Sequence, residues 1–331
     1  MRTRTVDGGN ALLSLLLLAL SAGGSGAASA AEPAAAQADA RPFLGRWDVT
    51  LSTPGHELPS WIEVSQGSGG LSVRMVGRWG HARVLPKAEI LGNWIRFVSP
   101  KEEEGRANSD MVFEARRIGA ELVGDTTGPD GSIWKWRGVQ APTLQRAHAP
   151  EWGRPVTLFN GKNLTGWRMS EAKPTNPWVV KDGALHSPGR GADLLTEAQF
   201  GDFKLHIEFN CGAGANSGIY LRGRYEVQVE DDAVPETPDM RLGSVYGFLT
   251  PMPPVSRDPG VWRAYDITLI GRTITVVLDG RTIIDHQEIP GVTGGALDSH
   301  EALPGPIYLQ GSEEGQVTYR NIIITPAKHS G

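Results

Sequence analysis

One segment of the sequence alternates between apolar and polar side chains: Ala213-Gly-Ala-Asn-Ser-Gly-Ile-Tyr-Leu-Arg-Gly-Arg-Tyr-Glu-Val-Gln-Val-Glu-Asp231. Two runs within it, residues 217–222 and 225–230, have the period of two that is typical of half-buried antiparallel strands. Gly223-Arg224 separates the two runs. The segment therefore predicts a β-hairpin, and the neighbouring sequence is interpreted as sheet around it.

The polar side chains of this hairpin share one face, because successive strand residues point to opposite sides of a sheet. They are Glu226, Gln228 and Glu230 in the second run, and Tyr220 and Arg222 in the first, with Asn216 just before it. Such planar donors and acceptors can hold the hydroxyls of a polyhydroxylated ligand. The same pattern also fits the solvated face of an ordinary sheet, and the alternation alone leaves both interpretations open.

The first 30 residues have the features of an export signal. Arg2 and Arg4 precede an apolar run over residues 11–22, and small residues follow that end in Ala28-Ser29-Ala30. We expect cleavage near Ala30 and a periplasmic or secreted mature protein, with an uncleaved anchor as the alternative. The run is shorter than the roughly 20 residues of a membrane span, and no later segment approaches that length.

Composition excludes several classes of function. The 331 residues carry a formal net charge of −5 without a basic run, so nucleic acid and anionic membranes are poor candidate partners. Cys211 is the only cysteine, which excludes an internal disulfide and a cysteine-based metal cluster. The sequence has no Gly-rich phosphate loop and no zinc-protease or serine-hydrolase motif. Oligomeric state is left open.

Residues 42–140 predict a small β-barrel between two linkers, residues 31–41 and 141–153. Short alternating runs and turn signals suggest about eight antiparallel strands. Gly45-Arg46-Trp47 resembles the start of lipocalin-like barrels. The segment holds six of the ten tryptophans, namely Trp47, Trp61, Trp79, Trp94, Trp134 and Trp136. Trp134 and Trp136 share a face and could stack on a sugar, but core packing is the expectation for most of the six.

Residues 154–328 predict a second, larger domain built from strands. Phe203, Leu205, Ile207 and Phe209 alternate with polar residues, and Asp279-Gly280 is a tight hairpin signal. Strands recur without a helical period between them. About 170 residues of this kind suit a jelly-roll sandwich, so the whole chain is expected to be all-β.

Several blocks of this second domain resemble, in order, the 3-keto-disaccharide hydrolase family, also called 3-keto-glucoside-1,2-lyase/hydratase. Among them are Leu158-Phe159-Asn160-Gly161, Asn216-Ser217-Gly218-Ile219-Tyr220, Tyr225-Glu226-Val227-Gln228 and Gly305-Pro306-Ile307-Tyr308-Leu309-Gln310. The resemblance implies a concanavalin-A-like sandwich, secretion, and a 3-keto-glycoside as the partner and substrate. Two blocks depart from the family pattern. Pro259-Gly260-Val261 stands before Trp262, where an acidic residue would be usual. Gln310 is followed by Gly311-Ser312-Glu313-Glu314-Gly315, where the family has an acidic residue and a histidine.

The implied substrate suggests a mechanism and its groups. A ketone at C3 acidifies the C2 hydrogen, so a base can remove it and the C1 substituent can leave, after which water can add. Glu226 and Glu230 are the candidate base and acid, and Arg222 or a bound cation is the candidate stabiliser of the enediolate oxygen. His206 and Tyr220 are second choices for proton transfer.

Other side chains of the second domain are candidates for binding the substrate. Substrate contacts are expected from Asn216, Gln228, Tyr246, Trp262 and Gln310. No metal ligands are assigned and no cofactor is firmly implied, although a divalent cation fits the chemistry and Asp231-Asp232 is a weak candidate for calcium. The alternative function is a carbohydrate-binding protein that uses the same sheet without catalysis. This alternative gains weight if the missing histidine is catalytic in the family.

Overall fold

The computed structural model describes residues 39–77, 80–103, 108–170, 177–187, 192–231, 237–312 and 315–328. These residues form strands and loops, with two short 3-10 turns at Lys101–Glu103 and Pro238–Met240. Within the same ranges, no helix is long and apolar enough to cross a membrane. The predicted signal peptide and most of the first linker lie outside the described residues, so cleavage and localisation stay predictions.

The first nine strands form one antiparallel meander that we call the barrel. They are β1 (Gly45–Thr53), β2 (His56–Gly67), β3 (Gly70–Val76), β4 (Arg83–Val84), β5 (Lys87–Leu91), β6 (Trp94–Ser99), β7 (Met111–Ile118), β8 (Glu121–Thr127) and β9 (Ile133–Gln140). Strand β1 pairs with both β2 and β9, so the chain ends of the meander meet and the open edges are β4 and β5. The antiparallel all-β prediction is confirmed, with nine strands instead of about eight. The lipocalin likeness stays a prediction.

Tryptophans fill the interior of the barrel. Trp47 and Trp136 are buried in one apolar cluster with Phe97 and Phe113, whose rings stack 4.9 Å apart. Trp134 is half-buried and packs against the same cluster. Trp134 and Trp136 therefore do not form an open platform for a sugar, and the core-packing interpretation applies to them.

The remaining strands form two sheets that we call the sandwich. They are β10 (Val156–Thr157), β11 (Trp167–Met169), β12 (Val179–Lys181), β13 (Ala184–Ser187), β14 (Leu194–Thr196), β15 (Phe203–Cys211), β16 (Asn216–Leu221), β17 (Tyr225–Glu230), β18 (Trp262–Ile270), β19 (Thr273–Leu278), β20 (Arg281–Glu288), β21 (Tyr308–Leu309) and β22 (Val317–Pro326). An eight-stranded sheet has the order β12-β13-β22-β15-β18-β19-β20, with β10 beside β22. A five-stranded sheet has the order β11-β14-β21-β16-β17.

The sandwich core lies between the two sheets and follows the sequence pattern. The alternating apolar residues of β15, from Phe203 to Phe209, are all buried in it. The predicted hairpin of residues 217–230 is formed by β16 and β17, in a register that pairs Asn216 with Glu230 and Tyr220 with Glu226. Asp279 and Gly280 both have positive φ, as the tight turn between β19 and β20 requires. The jelly-roll class of fold is therefore confirmed, and the domain boundaries stay a prediction.

Candidate functional site

The five-stranded sheet has one apolar and one polar face. Its inner residues Tyr225, Val227 and Val229 are fully buried in the sandwich core. The opposite face, which we call the polar face, carries Asp193, Asn216, Tyr220, Glu226, Gln228, Glu230, Tyr308 and Gln310. This face follows from the period of two along β17, β16 and β21, and it assembles side chains that are up to 117 positions apart, from 193 to 310.

Strand register arranges most of these side chains in cross-strand rows. The rows are Tyr308-Tyr220-Glu226, Gln310-Gly218-Gln228 and Asn216-Glu230. Gly218 occupies the middle of this arrangement. A Cβ atom at position 218 would lie only 2.0 Å from Glu226 Oε1. Glycine therefore leaves the space above β16 into which the Glu226 carboxylate extends.

Glu226 is held on three sides. Its side chain is buried, with 4% of the residue exposed, and Oε2 accepts a hydrogen bond from the Tyr220 hydroxyl at 2.9 Å. Its backbone nitrogen donates to Thr293 Oγ1 at 3.0 Å, and its carbonyl accepts from the Tyr246 nitrogen at 3.0 Å. Because both backbone groups and the carboxylate are fixed, Glu226 has the defined position that a proton-transfer group needs.

Tyr220 and Tyr308 form a stacked pair, with ring centroids 4.3 Å apart and planes 11° apart. Burial raises the pKa of Tyr220 well above its ordinary value, and the adjacent Glu226 carboxylate raises it further. The phenol therefore stays protonated and acts as a hydrogen-bond donor. It lies 2.9 Å from both Glu226 Oε2 and the Gly294 carbonyl, and its single proton serves one acceptor at a time. Tyr308 donates to Asp193 Oδ2 at 2.9 Å.

Glu230 and Gln228 are buried too, but the segment over residues 240–242 engages them. Glu230 Oε1 accepts from the Leu242 nitrogen at 3.0 Å, and Oε2 lies 3.7 Å from Arg257 Nη1. Gln228 Nε2 donates to the Met240 carbonyl at 3.2 Å. These contacts fix the segment beside β17, so Glu230 is less suited than Glu226 to proton transfer with a substrate.

Two amide oxygens on the polar face have no hydrogen-bond partner among the described residues. Asn216 Oδ1 and Gln310 Oε1 are inaccessible to solvent and accept no hydrogen bond from that part of the chain. A buried, unsatisfied oxygen costs roughly 1–3 kcal/mol, and a donor such as a hydroxyl group that reached either oxygen would remove that cost. The structure thus brings together seven of the predicted site residues: Asn216, Tyr220, Glu226, Gln228, Glu230, Tyr246 and Gln310.

Arg222 lies on the other side of the sheet. The alternation of β16 ends at Leu221, and Arg222 adopts a left-handed φ of 53° in the turn that follows. Its buried guanidinium donates to the Gly271 carbonyl at 2.8 Å and to the Tyr225 hydroxyl at 3.0 Å. Arg222 is therefore not placed to stabilise an enediolate at the polar face, contrary to the prediction.

His206 and Trp262 lie on the eight-stranded sheet, on the face that points away from the core. His206 Nδ1 is 2.7 Å from Asp266 Oδ1, and the Arg320 guanidinium covers the Trp262 ring at 3.9 Å. The structure does not bring either residue to the polar face. The prediction failed because alternation identifies the two faces of a strand but not which sheet of the sandwich the strand joins.

The described residues contain no group of three or more His, Cys, Asp or Glu side chains arranged to hold a metal ion. Asp231 Oδ2 accepts a hydrogen bond from the Gly214 nitrogen at 3.3 Å, and Asp232 lies outside those residues. The calcium suggestion for this pair therefore stays a prediction.

Sequence reasoning missed four residues of the polar face or its cover. Tyr308 lies in β21, two positions before Gln310, so a period of two from Gln310 could have identified it. Asp193 precedes β14 by one residue and had no comparable signal. Thr293 and Gly294 belong to an irregular loop, where no period exists from which a contact with Glu226 or Tyr220 could be predicted.

A family model described as a 3-keto-alpha-glucoside-1,2-lyase-like domain matches residues 154–325, a range that includes the entire polar face. No curated protein matches the chain.

Among solved structures, a candidate glycosyl hydrolase from Parabacteroides distasonis ATCC 8503 is 28% identical, with a TM-score of 0.44 over 56% of this chain and 93% of that chain. A second from the same organism is 25% identical, with a TM-score of 0.40 over 52% and 98%. A carbohydrate-binding module, CBM66 from Bacillus subtilis, is 16% identical, with a TM-score of 0.32 over 47% and 93%.

Proposed function

The chain belongs to the 3-keto-α-glucoside-1,2-lyase-like family over just more than half of its length, residues 154–325 of 331, and on that premise we propose that it cleaves 3-keto-glycosides. Family membership supports a sugar-active protein in general. The substrate and the reaction are our proposal. We also propose that the protein acts in the periplasm or outside the cell, as its export signal suggests.

The observation that carries the proposal is the buried Tyr220–Glu226 pair beside two unsatisfied amide oxygens. Glu226 removes the proton from C2, and the electron pair of that C–H bond moves toward C3 and its ketone oxygen. The protonated Tyr220 hydroxyl then has a charged oxygen to which it can donate a hydrogen bond. This donor replaces Arg222 in the stabilising role that the chemistry requires.

The second half of the reaction breaks the bond between C1 and the leaving oxygen. The electron pair returns from the ketone oxygen to form a double bond between C1 and C2, and the leaving oxygen takes the proton that Glu226 acquired. One carboxyl group thus serves as base and then as acid, with no net change on the protein. Water can later add across the double bond with the same group assisting.

One observation favours the alternative, a carbohydrate-binding protein without catalysis. The histidine expected after Gln310 from the resemblance is replaced by Gly311-Ser312-Glu313-Glu314-Gly315. A binding protein would use the amides of Asn216 and Gln310 as sugar contacts and would need no proton-transfer group at position 226.

The test is to incubate the purified protein in D₂O with methyl 3-keto-α-D-glucopyranoside and, separately, with methyl α-D-glucopyranoside. Proton NMR should show loss of the C2 proton signal and release of methanol from the keto sugar alone. Binding of either sugar without exchange or release would support the carbohydrate-binding alternative. Release from the unoxidised glucoside would overturn the requirement for the 3-keto group.

A further inference from the structure

A loop of residues 289–306, which we call the covering loop, lies against the polar face. Its Gly294 carbonyl is 2.9 Å from the Tyr220 hydroxyl, and its Thr293 Oγ1 accepts the Glu226 nitrogen at 3.0 Å. Leu297 packs against the apolar part of the same face, next to the stacked tyrosines. The positions of Tyr220 and Glu226 therefore depend on where this loop is held.

The covering loop also packs against the barrel. A Cβ atom on Gly291 would lie 2.1 Å from Cδ1 of Trp61, so the loop backbone and the indole are in direct contact. Val292 joins Trp61 in one buried apolar cluster. Further along the loop, the Ser299 hydroxyl is 2.7 Å from the hydroxyl of Thr50 in β1.

A second segment, residues 243–249, borders the outer edge of β17. Like the covering loop, it contacts both the polar face and the barrel. It bonds to Glu226 through Tyr246, as described above. On its far side, the Trp61 indole and the Phe248 ring lie at 89° to each other with centroids 5.2 Å apart, and the Ala82 nitrogen donates to the Gly247 carbonyl at 3.3 Å. Trp61 thus contacts both segments that fix Glu226.

A buried carboxylate, Glu301, also fixes the covering loop through hydrogen bonds. Glu301 has no exposed surface and accepts hydrogen bonds from the Tyr225 hydroxyl at 2.6 Å and from Arg272 Nη1 at 3.2 Å. Asp48 of the barrel is buried beside it. Burial, and then the nearby Glu301, raises the pKa of Asp48 to about 9, so the Asp48 carboxyl is protonated at neutral pH.

We infer that the barrel is a positioning module for the polar face, with Trp61 as the residue that holds the covering loop against Tyr220 and Glu226. The barrel lies outside the matched family segment, and this role gives it a function in the same chain. Only the kinetic consequence rests on the function proposed above. The effect on the loop itself is independent of any substrate.

The test uses the full chain with the substitution Gly291→Ala, which places a methyl group between the loop backbone and the Trp61 indole. The added methyl cannot fit beside the indole, so the loop must move away from the barrel, although position 291 has no left-handed φ that would exclude alanine. Amide hydrogen exchange over residues 292–297 should rise, and kcat on methyl 3-keto-α-D-glucopyranoside should fall at least about 10-fold, with KM changed less than kcat. The matched control is Gly201→Ala, where a Cβ meets nothing within 4 Å.

A second variant separates a barrel effect from a local one. Leucine at position 61 can turn away from the new methyl, so Gly291→Ala should change loop exchange and kcat far less in a Trp61→Leu background than in the wild type. If Trp61→Leu does not fold, Thr50→Val replaces it as the barrel variant, and exchange at 297–301 should rise because the bond to Ser299 is lost.

Three results would overturn the inference. The first is unchanged amide hydrogen exchange over residues 292–297 in Gly291→Ala. The second is an equal effect of Gly291→Ala in the wild type and in Trp61→Leu. The third, where Thr50→Val is used, is unchanged exchange at residues 297–301. A wild-type protein that turns over no 3-keto-glucoside would refute the proposed function, while the exchange measurements would still decide the role of the barrel.

Discussion

Two faces of the sandwich have similar alternating sequences but different chemistry. The outer face of the eight-stranded sheet carries His206, Glu208, Trp262 and Arg320, and its charges satisfy one another. Arg320 Nε donates to Glu208 Oε2 at 2.6 Å, and this bond lowers the pKa of Glu208. The polar face of the five-stranded sheet is buried under loops, and its amides at Asn216 and Gln310 keep unsatisfied oxygens.

The two faces differ in burial and in how completely their polar groups are hydrogen-bonded. Exposed ion pairs such as Arg320–Glu208 are screened by water and contribute little, typically 0–1 kcal/mol. Burial removes the hydrogen bonds that a polar group makes with water. A buried acceptor without a donor therefore destabilises the fold, unless a ligand donates the missing hydrogen bond. Polar alternation alone is common to both faces. Burial together with incomplete hydrogen bonding distinguishes the polar face.

The strongest test of this comparison is Glu226→Gln, for which we expect kcat to fall about 10²- to 10⁴-fold, the usual contribution of a general acid–base group. Glutamine keeps the size of the side chain above Gly218 and can still accept the Tyr220 bond, but it cannot take the C2 proton. The measurement is the initial rate of methanol release, with circular dichroism to check the fold.

The matched control is Glu208→Gln, which makes the same change on the outer face and should leave the rate within about twofold. An unchanged rate in Glu226→Gln would remove Glu226 from the mechanism. Attention would then move to Glu230, the other buried carboxylate on the polar face.

Tyr220→Phe should have the next largest effect. It removes a hydrogen bond to a charged group, worth about 1.5–3 kcal/mol, so kcat should fall roughly 10- to 150-fold. Loss of the donor destabilises the Glu226 carboxylate and raises its pKa, and the acid limb of the kcat/KM profile should move to higher pH. Tyr308→Phe keeps the ring stack and breaks the bond to Asp193 instead of the bond to Glu226, so the acid limb of this variant should stay in place. Equal shifts in both variants would contradict the assignment.

The sequence was sufficient for the hairpin and for the row Glu226-Gln228-Glu230, because a period of two is a local property of one strand. It failed for Arg222, where a left-handed turn residue ends the alternation. It also could not predict that Gly294 meets Tyr220, 74 positions away, through an irregular loop. Contacts of that kind depend on the path of the loop across the sandwich and on the barrel that supports it.

Arg222→Lys sharpens the comparison by testing a charge on the core side of the same sheet. Lysine cannot reproduce the planar contacts to the Gly271 carbonyl and the Tyr225 hydroxyl, so the free energy of unfolding should fall by roughly 1–3 kcal/mol. KM should hardly change, because the guanidinium does not reach the polar face. Denaturant unfolding and steady-state kinetics measure the two quantities. A raised KM with unchanged stability would return Arg222 to the binding site.

Asp48 extends the comparison to a carboxyl buried between the barrel and the covering loop. Its pKa is about 9 in the folded chain against 3.8 for the free side chain, so between these values the folded state keeps a proton that the unfolded state has lost. The contribution of Asp48 to the free energy of unfolding is therefore fully present below about pH 4 and is lost progressively as pH rises toward 9. Asp48→Asn should therefore reduce the fall in melting temperature between pH 6 and 9.

The control for this prediction is Asp125→Asn, which alters an exposed barrel carboxylate paired with Lys135 at 2.6 Å. That variant should keep the pH dependence of the wild type. A pH profile that is identical in Asp48→Asn and the wild type would show that Asp48 does not hold its proton in the folded protein.

His206→Gln has the smallest expected effect and tests the other side of the comparison. The ring is partly exposed on the outer face and bonds to Asp266 and Asn321, far from the row that contains Glu226 in the second sheet. A pair of this kind contributes at most about 1 kcal/mol, so the melting temperature should move by a few degrees at most and kcat by less than twofold. Glutamine retains a donor and an acceptor, which limits other changes. A loss of activity as large as that of Tyr220→Phe would mean that the outer face takes part in the chemistry after all, and that burial with incomplete hydrogen bonding is not the property that identifies the site.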